Sequence, residues 1–324
     1  CMTMKAPRTR LPDARSTPRF AGVCTFGRFP LFDPADQPPD WAIYGIPFDG
    51  GVTFRPGARF GPRAVREASQ FARPFHLVHK VNLIEKLSIA DAGDAPVSPY
   101  HIKETLDAAA AWAGKLGDPD TTRLLAIGGD HSIAYANIRA SWERRGRPAG
   151  GFGLVHFDSH LDTVDSVWGE KWGHASPFIR AIEDGLINPR HMISVGVKGP
   201  LNAASDLEFA SKNGMTILMR EDLEGTGPAL LREFVAARPD REFYLSFDVD
   251  VVDPAFAPGT GTPSIGGISS AQALSLLQNL RGIRLAGADI VEVLPAFDVS
   301  QLTALLASQI MVEILALDAL RVPD

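Results

Sequence analysis

Three short apolar runs, far apart in the chain, each end in side chains that bind metal ions. That repetition limits the fold more than any other feature. The middle run, Phe152 to Phe157, stops at Asp158-Ser159-His160-Leu161-Asp162. Leu124 to Ile127 stops at Gly128-Gly129-Asp130-His131-Ser132, and Phe243 to Phe247 stops at Asp248-Val249-Asp250. A short apolar run with such boundaries reads as a buried strand. In an open α/β sheet, ligands gather just beyond the carboxyl ends of the strands. Asp158 and His160, two residues apart, face the same side if the chain stays extended there. One such strand end is readily a capped aspartate with a satisfied histidine; three together argue for bound ions.

The three tips offer two imidazoles and four carboxylates: His131, His160, Asp158, Asp162, Asp248 and Asp250. Carboxylates crowded without a cation repel one another. Neutral imidazole with carboxylate suits borderline divalent ions such as manganese, nickel, iron or zinc. Six ligands, four of them anionic, exceed the need of one catalytic ion that keeps open positions. They suit two ions, about 3.5–4 Å apart in two-metal sites generally.

Strands are expected at 41–46, 87–90, 124–128, 152–157, 192–197, 216–219, 243–250 and 285–291, with helices between them and a long amphipathic helix over 300–317. That alternation predicts a three-layer α/β/α fold with a mostly parallel sheet of about eight strands. Residues 1–40, rich in Pro, Arg and Asp, read as an amino-terminal arm resting on the body or on a neighbour; 41–324 reads as a single catalytic domain. The segment Arg55-Pro56-Gly57-Ala58-Arg59-Phe60-Gly61-Pro62 follows the first strand. Its glycines and prolines fix an unusual backbone path, which either walls the site or only connects rigidly. A second long loop, 164–176, carries Trp168, Trp172 and His174.

The chain has 324 residues, 45 % hydrophobic and 22 % charged, with net charge −6. This is ordinary for a globular domain with a sizeable core, and nothing in it calls for nucleic acid. Cys1 and Cys24 sit away from every motif and imply no disulfide framework. There is no apolar leader and no run of about 20 apolar residues for a membrane span. A cytoplasmic location is the expectation.

With these motifs in hand the chain resembles the ureohydrolases: arginases, agmatinases and related guanidino-compound hydrolases. The resemblance rests on Gly-Gly-Asp-His-Ser at 128–132, Asp-Ser-His-Leu-Asp at 158–162, Ser-Phe-Asp-Val-Asp with Asp253-Pro254 at 246–254, and Val-Glu-Val-x-Pro around Glu292. Arg-Pro-Gly-Ala-Arg-Phe-Gly-Pro at 55–62 is nearer the agmatinase branch. The resemblance implies an arginase/deacetylase-like fold, trimers or hexamers, and two divalent ions per subunit, usually manganese, with nickel as the alternative. It implies His131 and Asp162 on one ion, His160 and Asp250 on the other, and Asp158 and Asp248 bridging.

By the same resemblance, the reaction is hydrolysis of a guanidino compound to urea and an amine. Asp158, His174 and Glu292 are the catalytic candidates: His174 titrates in the range a proton shuttle needs, and Glu292 can hold a guanidinium by paired hydrogen bonds. Trp168 and Trp172 offer cation–π faces, and Arg55 joins them and Glu292 as a substrate-binding candidate. Asp165 and Glu170 are placed to meet a distal ammonium, so agmatine is the first guess. Free guanidine, a small alkylguanidine, a biguanide or a guanidino acid such as guanidinobutyrate are alternatives. A one-zinc deacetylase and a non-catalytic partner subunit of a mixed oligomer are the rivals from other classes.

Overall fold

The computed structural model describes residues 8–322. Its centre is an eight-stranded sheet formed by β1 (Trp41–Ile46), β2 (Ile89–Asp94), β3 (Arg123–Gly128), β4 (Phe152–Phe157), β5 (Ile187–Val197), β6 (Thr216–Met219), β7 (Glu242–Asp248) and β8 (Arg284–Val291). The spatial order is β2-β1-β3-β8-β7-β4-β5-β6, and every neighbouring pair is parallel. Side chains alternate across a strand, and here both faces are covered. Trp41, Ile43, Leu125, Ile127, Val155 and Phe157 enter one core, while Ala42, Tyr44, Leu124, Ala126, Phe152 and Leu154 enter the other. Burial on both faces is what a parallel sheet requires, and it explains why the strands read as unbroken apolar runs.

The topology sets the site. Strands β3, β8, β7 and β4 are contiguous at the middle of the sheet although they are far apart in sequence. All run the same way, so their carboxyl ends open onto one edge, where the strand order reverses. Asp248 is the last residue of β7, Asp158 and Glu292 follow β4 and β8 directly, and His131 lies three residues beyond β3.

Several expectations shift. β3 stops at Gly128 and β4 at Phe157, so His131, Asp158 and His160 stand in turns, not on extended chain. The backbone N–H of His160 folds back to Asp158 Oδ1 at 2.6 Å. Strand β7 ends at Asp248, whose Oδ1 accepts the N–H of Asp250 at 2.7 Å and starts a 3-10 turn over Val249–Val251. β2 begins and ends later than expected, and β5 begins earlier. A two-residue hairpin, Phe75–His76 with Val81–Asn82, was not anticipated; strands so short carry no readable period. The last helix, Leu302–Ala319, is not amphipathic. It is long and apolar enough to pass for a membrane span, but 83 % of it is buried inside the protein. It packs against the helices Gly61–Ala68 and Ser270–Gln278.

The described part of the arm is tied to the body. Thr9 is buried and hydrogen-bonds Leu87 O and Ile89 N–H, and Phe26 and Phe29 sit in a core. Cys24 is an exposed free thiol; Cys1 lies outside the described residues.

Candidate metal centre

Gly129 allows the β3 tip to form. A Cβ there would meet Phe48 O at 1.8 Å, so only glycine lets this turn close on the loop after β1. The turn carries Asp130 and His131 inward, both buried. Asp130 is a strut: Oδ2 accepts Gly51 N–H at 2.7 Å, and Oδ1 accepts the N–H and hydroxyl of Ser132. Burial, then the negative charge of Glu292, pushes its pKa up to about 6.

His131 Nδ1 lies 3.0 Å from Asp158 Oδ2, 2.8 Å from Asp162 Oδ2 and 3.4 Å from Asp248 Oδ2. His160 Nδ1 lies 3.2 Å from Asp158 Oδ1 and 3.0 Å from Asp250 Oδ2. Asp158 therefore serves both sets, one oxygen to each. Asp248 meets only His131 among the two histidines, through Oδ2, while its Oδ1 accepts the Asp250 N–H. Asp162 reaches the cluster with φ 51°, a conformation rare for a residue with a side chain.

The donor set fits cations. His131 Nδ1 is buried and makes no hydrogen bond, although three carboxylates surround it. Burial, followed by the charges of Asp250 and Asp158, drives the Asp248 carboxyl well above its usual range. Asp162 rises too, from burial and then Asp158. Such crowding of carboxylates around a bare imidazole nitrogen is the environment a divalent ion relieves.

Glu292 also has positive φ, 65°. Its Oε1 accepts the N–H of His131 at 2.9 Å and lies 2.9 Å from His174 Nδ1. Its Oε2 is buried without a hydrogen-bond partner, and a Cβ on Gly261 would sit 3.2 Å from it. His174 Nε2 accepts the N–H of Thr53 at 3.0 Å and lies 2.8 Å from Thr53 Oγ1. Burial alone would lower the His174 pKa, but the Glu292 carboxylate overcomes it and lifts it to about 9.

A cleft of about 160 Å³ opens at the cluster, lined by His160, Asp162, His174, Asp248 and Thr53, with mixed outer walls in which Leu161, Val164, Pro200 and Leu201 alternate with Thr163, Asn202, Asp206 and Thr262. Trp168, Trp172 and Arg55 are not among its lining residues, and neither is Glu292, which is fully buried behind His174. Trp168 is 85 % exposed, at φ 51°. Trp172 packs edge-on against Tyr135 and carries Lys103 Nζ over its ring at 4.9 Å, so its faces are spent on structure. The Arg55 guanidinium stacks on Phe54 and Phe297. Asp165 is paired with Arg180, Glu170 accepts the N–H of Trp172, and neither lines the cleft.

Three contributors escaped the sequence reading. Thr53 meets His174. His156, buried at the end of β4, places Nε2 2.9 Å from Asp158 Oδ2. Ser246 lies 2.8 Å from His131 Nε2. His156 and Ser246 sit one strand period before the ligands Asp158 and Asp248, which is the signal that was available.

The family model described as "Arginase family" matches residues 39–317. A guanidinopropionase of Pseudomonas aeruginosa is 42 % identical, covering 94 % of each chain. A proclavaminate amidinohydrolase of Streptomyces clavuligerus is 36 % identical over 94 % of this chain and 95 % of its own. The solved structure of a proclavaminate amidinohydrolase from Streptomyces clavuligerus superposes with a TM-score of 0.86 at 34 % identity, covering 94 % of this chain and 99 % of that one. A hypothetical agmatinase from Burkholderia thailandensis superposes with a TM-score of 0.83 at 35 % identity, covering 94 % and 93 %.

Proposed function

The chain belongs to the arginase family and is a hydrolase of guanidino compounds, and from that premise we propose that it releases urea from a guanidino compound with a short tail. His131, Asp158, Asp162 and Asp248 would hold one divalent ion, and His160, Asp158 and Asp250 a second; manganese is the first choice and nickel the alternative. Such a pair, when bound, supplies hydroxide near neutral pH by acidifying water.

The observation that carries this reading is Glu292 Oε2, a buried carboxylate oxygen with no hydrogen-bond partner beside the ligand cluster. A guanidinium N–H satisfies it at no cost to the bonds of Oε1. His174 is the proton carrier. It is held by Glu292 on one ring nitrogen and meets Thr53 with the other, and both His174 and Thr53 line the cleft. With Nε2 accepting from Thr53, the ring holds a proton on Nδ1 against Glu292, and a second proton taken up at Nε2 is the one passed to the departing amine, which must leave protonated.

The tail is short because the cleft is small, because Asp165 is already paired, and because Asp206, among its lining residues, already accepts the N–H groups of Asn202 and Ala203. Similarity to a guanidinopropionase supports 3-guanidinopropionate as a member of this class. A urea-release panel of guanidine, methylguanidine, 3-guanidinopropionate, 4-guanidinobutyrate, agmatine and arginine, with manganese or nickel loaded, tests it. Compounds with tails of three carbons or fewer are expected to exceed agmatine in kcat/KM by at least about tenfold, the worth of a mismatched pocket contact. Agmatine equal to or ahead of them would refute the short tail, and no urea from any compound would refute the activity.

The subunits assemble as a homotrimer or homohexamer in this reading. Exposed Phe20 and Phe71 line one surface hollow and Phe71 and Leu77 the next, and they are the kind of apolar surface a second copy covers. A monomeric mass by light scattering would refute it.

A further inference from the structure

Behind the ligand cluster runs a buried chain of hydrogen bonds whose direction is fixed from one end to the other. Asn137, fully buried on the helix Ile133–Arg144, directs Nδ2 at the carbonyl of Ala288 (2.8 Å). A carbonyl only accepts, so that atom must be the amide nitrogen. The same nitrogen meets the Tyr244 hydroxyl at 2.6 Å, while Asn137 Oδ1 accepts from the Tyr44 hydroxyl at 2.8 Å. Tyr244, receiving from Asn137, donates its own proton to Asp289 Oδ2 at 2.5 Å. The other oxygen, Asp289 Oδ1, receives the Ser246 hydroxyl at 2.6 Å. Ser246 has then spent its proton, and only its lone pairs face His131 Nε2, 2.8 Å away.

Rotating any one hydroxyl would leave two donors or two acceptors facing each other inside the core, at a cost of about 1–3 kcal/mol. His131 therefore carries its proton on Nε2. Its other nitrogen, Nδ1, is the one left for a metal ion, which displaces any proton the carboxylates hold there, and it points at Asp158, Asp162 and Asp248. A bare nitrogen is what a metal ion needs, and a protonated one cannot bind it.

We propose that Asp289, acting through Ser246, is the positioning residue that fixes the His131 tautomer and so sets the affinity of one of the two metal positions. The proposal rests on reading the cluster as a metal centre. Asp289 touches neither ion nor substrate: it lies on β8 among apolar neighbours, three residues before Glu292. The same strand thus positions the metal from behind and presents the guanidinium acceptor in front.

Asp289→Asn keeps the volume but can turn an N–H toward Ser246. Ser246 then donates to His131 Nε2 and pushes the proton onto Nδ1. The test titrates the full, metal-free chain with Mn(II) alone and reads stoichiometry and affinity. The ¹⁵N signal of the His131 ring reports which nitrogen is protonated. Wild type is expected to bind two ions with Nε2 protonated. Asp289→Asn is expected to weaken one ion by about 10–100-fold, the usual worth of an outer hydrogen bond to a metal-bound histidine, and to leave the other within about twofold. Its His131 proton moves to Nδ1. Should that variant not fold, Ser246→Ala carries the test: it removes the acceptor of the Nε2 proton and should weaken the same position. Two ions bound at wild-type affinity, with the Nε2 proton in place, overturn the proposal and leave the metal centre standing. Fewer than two ions bound by wild type overturns the metal centre and the proposal with it.

Discussion

Among the described residues histidines and carboxylates gather in two places, and by composition the two look alike. One is the set at the strand tips; the other, His76, His79 and Glu313, lies between the short hairpin and the last helix. Candidate ligand atoms fall within 4.8 Å of one another in two groups at the strand tips, His131, His156, Asp158 and Asp162, and Asp158, His160 and Asp250, and in the single group His76, His79 and Glu313. They differ in what their outer hydrogen bonds do. His131 has its far nitrogen occupied and its near one bare. His76 is the reverse: Nδ1 accepts the N–H of His79 at 3.1 Å, so Nε2 keeps the proton and faces Glu313 Oε2 at 2.9 Å. That contact is off the hydrogen-bonding line, so Glu313 Oε2 forms no hydrogen bond and the attraction is electrostatic. His79 stacks on His76 at 4.5 Å, and one carboxylate serves the group where four serve the strand tips. Ligand-type residues in proximity do not make a metal site; the bond on the far side of each imidazole decides whether a lone pair is offered.

The largest expected effect separates the two clusters outright. His160→Ala or Asp248→Ala should take metal content below two per subunit and lower urea release by more than about a hundredfold, beyond what loss of an outer bond costs. His76→Ala should leave metal content at the wild-type value. Elemental analysis of the three purified variants checks this, and equal metal loss in all of them would erase the distinction.

The strand-tip cluster was legible because three apolar runs each ended in Asp or His, and a parallel sheet has one place to put such ends. What surrounds it was less so. Asp289 sits mid-strand and reads as an interruption of an apolar run; its role depends on Asn137 and Tyr244, brought in by the sheet order. Trp172 and Asp165 looked like ligand contacts because aromatic and acidic residues in a long loop invite that reading. Their partners, Tyr135 and Arg180, lie on two helices that no local pattern connects to the loop. The final helix was expected to be amphipathic, yet even its acidic residues Glu313 and Asp318 are buried, Asp318 accepting from Trp41 Nε1 at 2.9 Å. Burial of a charge against a distant partner is a tertiary fact.

The two clusters should also answer pH with opposite signs. His174, beside the metal ligands, has a folded pKa raised to about 9 despite burial, by Glu292. Its contribution to stability is fully present below the unfolded value of about 6.5 and is lost as pH rises through about 9, up to roughly 3 kcal/mol. His79 is the converse: burial above all lowers its pKa. A histidine held neutral stabilises above about pH 6.5, and that contribution fades as the solution is made more acidic. Melting the metal-free chain against His174→Asn and against His79→Asn between about pH 5 and 9.5 reads both. The first gap should close toward the alkaline end and the second toward the acidic end. Gaps that move in the same direction would mean the two sites are not built differently.

The smallest effect tests the quieter cluster by itself. Glu313 receives the side-chain amides of Gln278 and Gln309 on Oε1, at 3.2 and 3.3 Å, and faces the His76 proton with Oε2. Glu313→Gln keeps the volume but presents one N–H₂ where only acceptors were. Either the two glutamines or the His76 Nε2 proton then meets a donor, at about 1–2 kcal/mol for one unsatisfied buried group. The melting temperature of the metal-loaded protein should fall by a few degrees, with metal content and urea release unchanged. A variant that instead gives up an ion the wild type had held would make His76, His79 and Glu313 a metal site. The tautomer of His76 would then have to be the opposite of the one its backbone contact dictates.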